Sequence, residues 1–318
     1  MNIHIIGGGS LGLLYAGKLA DSGCRVTLWC RSEEQADKLR ASGITIEETD
    51  RHQVIDAHAF SVSSWSSFAE SGGGADADYL FLMLKQQGIE EIAAEMLALF
   101  GEDHRRLLCF QNGTGHLERL QDLLPMWTIY AAITTEGAKR TSSVSVLHAG
   151  RGTTTIGKMM PDGSSLDALS QETHEIKLVK QLNRAGFEAF LSNEMDEMIY
   201  RKLLINAVIN PLTALWRIPN GELLTSPERV SLMKQLYNEG IAVYEAAGIP
   251  YGSGLWEWIL SVCQSTSSNT SSMLKDVMEG RTTEVAWING SIVRLGQKYG
   301  ISVPIHELIT QLIEGMNT

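Results

Sequence analysis

The sequence predicts an α/β protein of two domains: a Rossmann-type doubly wound sheet over residues 1–192 and an all-α domain over 193–318. Three observations predict this fold class. A glycine-rich turn joins the first apolar strand to a helix, short apolar runs then alternate with helical segments, and long helical patterns replace strand patterns beyond residue 193. A chain of 318 residues is long enough for each domain to bury a core of its own.

The first βαβ unit spans residues 3–31. An apolar strand at 3–6 runs into Gly7-Gly8-Gly9-Ser10-Leu11-Gly12, a helix follows at 11–22, and a second strand covers 25–30. In a Gly-x-Gly-x-x-Gly turn the first glycine permits the turn, the second lets a pyrophosphate approach the backbone, and the third lets helix and strand pack closely. This context favours a dinucleotide site over a merely structural turn, and its predicted residues are Gly7, Gly9, Ser10, Leu11 and Gly12.

The residue that follows the second strand distinguishes NAD from NADP. An acid there would bind the ribose hydroxyls of NAD, but this chain has Arg31, whose guanidinium can bind a 2′-phosphate through two hydrogen bonds. The sequence therefore predicts NADPH as the cofactor. The alternative is an ordinary solvated arginine, and Glu33 and Glu34 reduce the local positive charge.

Further apolar runs predict the rest of the sheet. Residues 79–84 and 107–110 are strands of the buried parallel type, with a helix at 88–100 between them. The β-rich segments Thr128–Thr135, Val144–His148 and Thr153–Ile156 are assigned to the far edge of the same sheet. Gly72–Gly74 is interpreted as a surface loop in a long, serine-rich region over 45–78.

The second domain begins where Asn193 can cap a helix with acids in its first turn. The stretch Ser265–Ser272 is a polar connection between helices. The helical patterns of this domain cover residues 194–209, 226–247, 255–264, 281–299 and 304–315.

Composition excludes several function classes. The net charge is −11, which argues against nucleic-acid and anionic membrane partners. The four cysteines are scattered and the eight histidines lack metal spacing, so neither a disulfide framework nor a metal site is predicted. With no targeting or membrane-spanning pattern, we expect a cytoplasmic protein that acts on a small molecule; a homodimer remains open.

Chemistry is predicted on the helix that contains Lys202, Asn206 and Asn210. These residues are four apart and therefore share one helix face. A solvated polar stripe is the alternative, but asparagine is a poor helix former, and two asparagines in line indicate that their amides have partners. A desolvated lysine has a lowered pKa and can donate a proton to a developing alkoxide, as a ketone reductase requires.

With the glycine loop, Arg31, Lys85, Gln111-Asn112-Gly113, the Lys202–Pro211 segment, Ser271-Ser272-Met273-Leu274 and Gly280–Gly290 all in order, the sequence resembles the ketopantoate reductase (2-dehydropantoate 2-reductase) family along nearly its whole length. The resemblance implies a C-terminal domain like that of 6-phosphogluconate dehydrogenase. It also implies NADPH-dependent reduction of ketopantoate to pantoate, a step in pantothenate and coenzyme A biosynthesis.

The resemblance also implies residue roles. Lys202 would be the general acid and Glu284 a second catalytic residue that also contacts the cofactor. Lys85 and Asn112 would contact the cofactor, and Asn112 the substrate as well. Further substrate contacts fall on Asn206, Asn210, Asn220, Asn269 and Ser272.

Each weaker assignment has a plain structural alternative. Lys85 could solvate a strand end, Ser272 could cap a helix, and Glu284 could be a surface acid. Asn220 lies in a Pro-Asn-Gly turn that backbone geometry alone explains. Two other functions stay open: reduction of another branched 2-oxo acid, and NADPH sensing without turnover.

Overall fold

The structure is a computed structural model that describes residues 1–48, 51–65, 77–158 and 168–317, without the side chains of 168–173 and 317. The predicted loop at Gly72–Gly74 lies outside these residues. The chain divides into two compact units: Met1–Gln111 with Leu117–Met195, and Asn112–His116 with Asp196 to the end of the chain. The sequence places this boundary between 192 and 193, and it does not anticipate that Asn112–His116 groups with the second unit.

The first unit is built on an eight-stranded sheet, which confirms the predicted Rossmann-type α/β class. The strands are β1 Asn2–Ile6, β2 Arg25–Cys30, β5 Ser61–Ser64, β6 Tyr79–Leu82, β7 Arg106–Cys109, β8 Thr128–Thr134, β11 Thr153–Lys158 and β12 Glu188–Leu191. Their order is β12-β11-β8-β7-β6-β1-β2-β5, and β1 pairs in parallel with both β2 and β6. Among the described strands of this sheet, β8 and β11 form the one antiparallel pair, and β12 pairs in parallel with β11.

Helices cover this sheet, and three of them were not predicted: α2 Glu33–Ser42, α4 His116–Leu123 and α5 Ala168–Arg184. Most residues of α5 are polar, which hides its apolar face at Leu178 and Leu182. The first unit has a core of its own, which includes Ile3, Leu13 and Phe187. Its helices are α1 Ser10–Asp21, α2 Glu33–Ser42, α3 Ile89–Phe100, α4 His116–Leu123, which begins at the unit boundary, and α5 Ala168–Arg184.

A second, four-stranded sheet corrects the prediction for two regions. Its strands are β3 Ile44–Glu48, β4 Arg51–Ile55, β9 Gly137–Arg140 and β10 Ser145–Gly150, in the order β4-β3-β10-β9. The assignment of Val144–His148 to the far edge of the main sheet was therefore wrong. The pairing of β10 with β3 joins segments about a hundred residues apart, and no local pattern encodes such a partner choice.

From Asp196 onward, the described residues form helices and no strand, as predicted. Their core is separate and includes Leu204, Leu236 and Ile292. Helix α6 continues through Pro211, although the sequence predicts its end at residue 209. The helices are α6 Met195–Trp216, α7 Pro227–Ala247, α8 Leu255–Ser265, α9 Ser272–Met278, α10 Val285–Tyr299 and α11 Pro304–Glu314. No helix in the described part of the chain combines the length and apolar character that crossing a membrane requires.

Candidate active site

The glycine turn after β1 has three positions with different steric demands. Gly7 has φ +121°, and a Cβ there would lie 2.8 Å from the carbonyl oxygen of Met83. A Cβ on Gly12 would lie 1.7 Å from the carbonyl oxygen of Gly7. Around Gly9, by contrast, a Cβ would meet no described atom within 4 Å. The turn is therefore packed at its first and third glycines and open at its second, where a pyrophosphate would approach.

Helix α1 begins directly at this turn. Gly9 is its N-cap and supplies no side-chain hydrogen bond, so the first helical amides of Ser10, Leu11 and Gly12 have no partner within the helix. Such an N-terminus favours an anionic group. The main chain around Gly9 thus offers both the space and the donors that a dinucleotide phosphate requires.

A buried glutamine supports the glycine turn from α2. The Gln35 side-chain amide donates hydrogen bonds of 2.8 Å to the carbonyl oxygens of both Gly8 and Ser143. On the other side, the backbone amide of Arg140 donates to Ser10 Oγ at 3.0 Å. No sequence pattern distinguishes Gln35, which is a polar residue in a charged segment.

Arg31 lies at the same sheet edge as the glycine turn. Strands β1 and β2 are adjacent and parallel, and the Gly7 amide donates to the carbonyl oxygen of Trp29 at 2.9 Å. Arg31 is exposed and follows β2 directly, while Ser32 caps α2 by accepting from the Gln35 amide. A guanidinium at this place is available to a phosphate on the adenosine ribose.

Lys85 is also exposed, in the loop that begins where β6 ends. Because β6 pairs in parallel with β1, this loop leaves the sheet at the edge that carries the glycine turn. The Gln111 side chain donates to the carbonyl oxygens of Leu82 and Leu84 and so fixes the start of the loop.

In the second unit, α6 presents Lys202, Asn206 and Asn210 at successive four-residue intervals of one continuous helix. Lys202 and Asn206 are half-buried, whereas Asn210 is only 7% exposed. Neither asparagine side chain hydrogen-bonds to any residue that the structure describes. Side-chain amides without a partner among the described residues are available to hydrogen-bond an external ligand.

The electrostatics of this face centre on Lys202 and Glu284. Burial lowers the pKa of the Lys202 ammonium to about 8, while the Glu284 carboxylate acts in the opposite direction and raises it. The sequence predicts Glu284 inside a helix over 281–299, but the structure shows it as the N-cap residue of α10. Its carboxylate accepts a hydrogen bond of 3.2 Å from Asn112 Nδ2, which brings together two of the predicted site residues.

A chain of hydroxyl groups joins α6 to α9. Thr213 Oγ1 donates to the carbonyl oxygen of Asn210 at 2.8 Å and lies 2.7 Å from Ser271 Oγ. Ser271, and not Ser272, is the N-cap of α9, because its hydroxyl accepts from the Leu274 amide. Ser272 is therefore the first helical residue, exposed and free of the capping role. Thr213 and Ser271 were not predicted as site residues, although serine before a helix is a preferred N-cap residue.

Asn220 and Asn269 lie side by side. The backbone amide of Asn220 donates to the carbonyl oxygen of Asn269 at 3.0 Å. The Asn220 side chain donates to Thr266 Oγ1 at 2.8 Å, which gives it a structural role of its own, while its buried Oδ1 has no partner among the described residues. Asn269 is exposed.

Two family profiles match the chain. The profile described as ketopantoate reductase PanE/ApbA matches residues 3–161, and that of the ketopantoate reductase PanE/ApbA C terminal matches 194–317. The chain is 32% identical to the 2-dehydropantoate 2-reductase of Listeria innocua over 316 residues, which cover 99% of this chain and 97% of that protein. It is 32% identical to that of Bacillus subtilis over 304 residues, covering 95% and 92%.

Solved structures share the fold. A PanE/ApbA family ketopantoate reductase from Ralstonia eutropha JMP134 superposes with a TM-score of 0.86 at 24% identity, covering 100% of this chain and 98% of that one. D-mandelate dehydrogenase with NADH and anilino(oxo)acetate gives a TM-score of 0.85, also at 24% identity and with the same coverage. At these identities the likeness shows the fold alone.

Proposed function

Since the chain belongs to the ketopantoate reductase (PanE/ApbA) family of oxidoreductases, we propose that it reduces 2-dehydropantoate, or ketopantoate, to pantoate, with NADPH as cofactor and Lys202 as general acid. The observation that carries this proposal is the α6 face. It combines an ammonium whose pKa is about 8 with two asparagine amides that have no partner among the described residues.

The residues of the first unit fit a nicotinamide dinucleotide. The open space at Gly9 and the α1 N-terminus would hold the pyrophosphate, and Arg31 would hold the 2′-phosphate that distinguishes NADPH from NADH. Lys85 is a second cation at the same sheet edge and would also contact the cofactor. When bound, NADPH supplies the hydride that reduces the ketone carbon.

Lys202 would protonate the ketone oxygen. Its ammonium form can donate a hydrogen bond to the ketone before reaction and a proton to the alkoxide as negative charge develops. A lysine with an ordinary pKa near 10.4 would be a weaker acid, so burial matches Lys202 better to proton transfer near neutral pH. Glu284 keeps the ammonium form populated by raising this pKa.

The substrate carries a carboxylate and a hydroxyl beside the ketone, and amides bind both groups. Asn206 and Asn210 lie one and two helical turns beyond Lys202 on the same face and would orient these groups without adding charge. Asn112, Asn220, Asn269 and Ser272 would contribute further contacts. Asn220 is the weakest of these, because Thr266 already engages its amide.

The experiment is a steady-state assay of NADPH oxidation with ketopantoate, with NADH as the alternative cofactor. Lys202→Ala should lower kcat by about 10²- to 10⁴-fold and leave the Kd for NADPH within about twofold. The matched control is Lys298→Ala, because Lys298 is an exposed lysine in the last turn of α10. Undiminished turnover by Lys202→Ala would reject the general-acid role.

A panel of 2-oxo acids separates the remaining functions. It should contain ketopantoate, 2-oxoisovalerate, and phenylglyoxylate, the oxo acid that corresponds to mandelate. The highest kcat/KM with ketopantoate supports the proposal, and a higher value with another acid reassigns the substrate. Binding of NADPH without oxidation in the presence of any of these acids would favour a sensor.

A further inference from the structure

Helix α6 contains a proline that should interrupt it. Pro211 has no N–H, so it cannot donate the helical hydrogen bond to the carbonyl oxygen of Ala207, four residues before it. The helix nevertheless continues to Trp216. The Asn289 side chain, from α10, donates a hydrogen bond of 2.9 Å to this same carbonyl oxygen of Ala207.

We propose that Asn289 is a positioning residue for the substrate-binding face of α6. Its amide replaces the backbone donor that Pro211 lacks and thereby holds Asn206 and Asn210 in line with Lys202. The role of these asparagines as substrate contacts rests on the function proposed above. The hydrogen bond itself, and its dependence on Pro211, do not rest on that function.

The position of the missing backbone bond makes it relevant to the site. Ala207 directly follows Asn206, and Pro211 directly follows Asn210. The turn that lacks its own hydrogen bond is therefore the turn that sets the distance between the two asparagines. Without an external donor, this turn could open or bend, as helices do at proline. Such a change would move Asn210 relative to Lys202 and Asn206.

The orientation of Asn289 is fixed by a buried relay across four helices. His306 Nε2 lies 3.0 Å from the carbonyl oxygen of Leu236, which can only accept, so Nε2 carries the hydrogen. In the neutral ring Nδ1 is then an acceptor, and it receives a hydrogen bond of 3.1 Å from the Asn289 amide. Burial keeps the ring neutral by lowering the pKa of His306 to about 4. The amide of Asn289 must therefore face both His306 and Ala207.

The side-chain oxygen Oδ1 of Asn289 is evidence against a role in stability alone. The residue is fully buried, and its Oδ1 has no hydrogen-bond partner among the described residues. An apolar side chain would avoid this buried, unpaired oxygen. The chain retains an amide at a place where only its Nδ2 is used, and Nδ2 is the atom that reaches Ala207.

A double-mutant cycle with Asn289→Leu and Pro211→Ala tests the proposal. Asn289→Leu should lower kcat/KM for ketopantoate about five- to tenfold, the effect of losing one neutral hydrogen bond. The loss should appear mainly in KM, with the Kd for NADPH unchanged. Pro211→Ala restores a backbone donor to Ala207, so in that background Asn289→Leu should cost less than about twofold. Equal losses in both backgrounds, or wild-type kinetics for Asn289→Leu, would overturn the proposal.

Ser291→Ala is the matched control on α10. Ser291 is buried two residues after Asn289, but its hydroxyl donates within α10, to the carbonyl oxygen of Trp287. Ser291→Ala should leave KM for ketopantoate unchanged. A rise in KM as large as that of Asn289→Leu would count against a specific role for Asn289. If Asn289→Leu does not fold, recovery of folded protein by adding Pro211→Ala supports the proposal, and failure to recover it overturns the proposal.

Urea unfolding of the wild type, Asn289→Leu, Pro211→Ala and the double variant separates this inference from the proposed function. Coupling between residues 211 and 289 should appear in the unfolding midpoints whether or not the enzyme accepts ketopantoate. If the wild-type protein reduces no 2-oxo acid but the coupling is present, the function fails and the structural role stands. Additive midpoint shifts would instead reject that role.

Discussion

The side-chain amide of Asn112 donates a hydrogen bond of 3.2 Å to the carboxylate of Glu284, 172 residues further along the chain. Glu284 is also the acid that raises the pKa of Lys202, against the larger effect of burial, which lowers it to about 8. A single carboxylate is thus held by one predicted site residue and acts electrostatically on another.

The first prediction concerns Glu284→Gln. Because the ammonium of Lys202 is the acid, kcat/KM should fall as the pH rises through about 8. Glutamine removes the negative charge that favours the ammonium form, so the pKa of Lys202 falls and the alkaline limb moves to lower pH. The pH profile of kcat/KM measures this shift. Glu279→Gln, which removes the same charge from an exposed residue, is the control, and an unmoved limb in Glu284→Gln contradicts the prediction.

The second prediction contrasts two glycines of the same turn. Gly9→Ala should fold normally, because its new methyl group meets no described atom within 4 Å, yet it should raise the Kd for NADPH about tenfold or more by occupying the phosphate space. Gly12→Ala should instead destabilise the fold by about 3 kcal/mol, because its methyl group would lie 1.7 Å from the carbonyl oxygen of Gly7. Thermal unfolding and NADPH titration distinguish the two. Equal destabilisation by both substitutions would show that Gly9 is also a packing residue.

The third prediction concerns cofactor choice. Arg31→Ala should weaken NADPH binding roughly ten- to a hundredfold, the range expected for hydrogen bonds to a charged group, and leave NADH binding nearly unchanged. Arg25→Ala provides the matched control, since Arg25 is an exposed arginine at the opposite end of the same strand. Titration calorimetry with both cofactors measures the ratio. If the affinity for NADH falls as much as the affinity for NADPH, Arg31 does not bind the 2′-phosphate.

Local sequence patterns predicted the parts of the fold whose determinants are local. The strand, turn and helix around Gly7–Gly12 and the four-residue spacing from Lys202 to Asn210 are such cases. The second sheet was missed because the pairing of β10 with β3 depends on distant segments. The end of α6 was misplaced because proline normally ends a helix, and the donor that compensates for Pro211 lies on another helix. For the same reason, the supporting contacts of Gln35 and Asn289 could not be read from their neighbours in sequence.

The fourth prediction concerns acid stability. Burial lowers the pKa of both His4 and His306 to about 4, from an ordinary value of 6.5. The folded state therefore resists protonation that the unfolded chain accepts, so stability is full above pH 6.5 and declines as the pH falls toward 4. Each histidine should contribute a loss of roughly 2 kcal/mol by pH 5. Urea unfolding at pH 7.5, 6 and 5 measures the decline.

His4→Gln tests the share of one histidine in this decline. Glutamine is neutral at every pH used and can still accept the hydrogen bond that Trp29 Nε1 donates to His4 at 3.2 Å. The variant should therefore lose less stability than the wild type between pH 7.5 and 5. A decline as steep as that of the wild type would mean that other groups, such as carboxylates, account for the acid sensitivity.

The hydrogen bond from Gln35 to Ser143 affects when the glycine turn acquires its native contacts during synthesis. The glycine motif leaves the ribosome before the carbonyl group of Ser143, which shares the Gln35 amide and is made more than a hundred residues later. A nascent chain that stops before this point carries the whole motif without its completed support. A fragment must therefore extend past Ser143, well beyond the βαβ unit that contains the motif, to form both hydrogen bonds of the Gln35 amide.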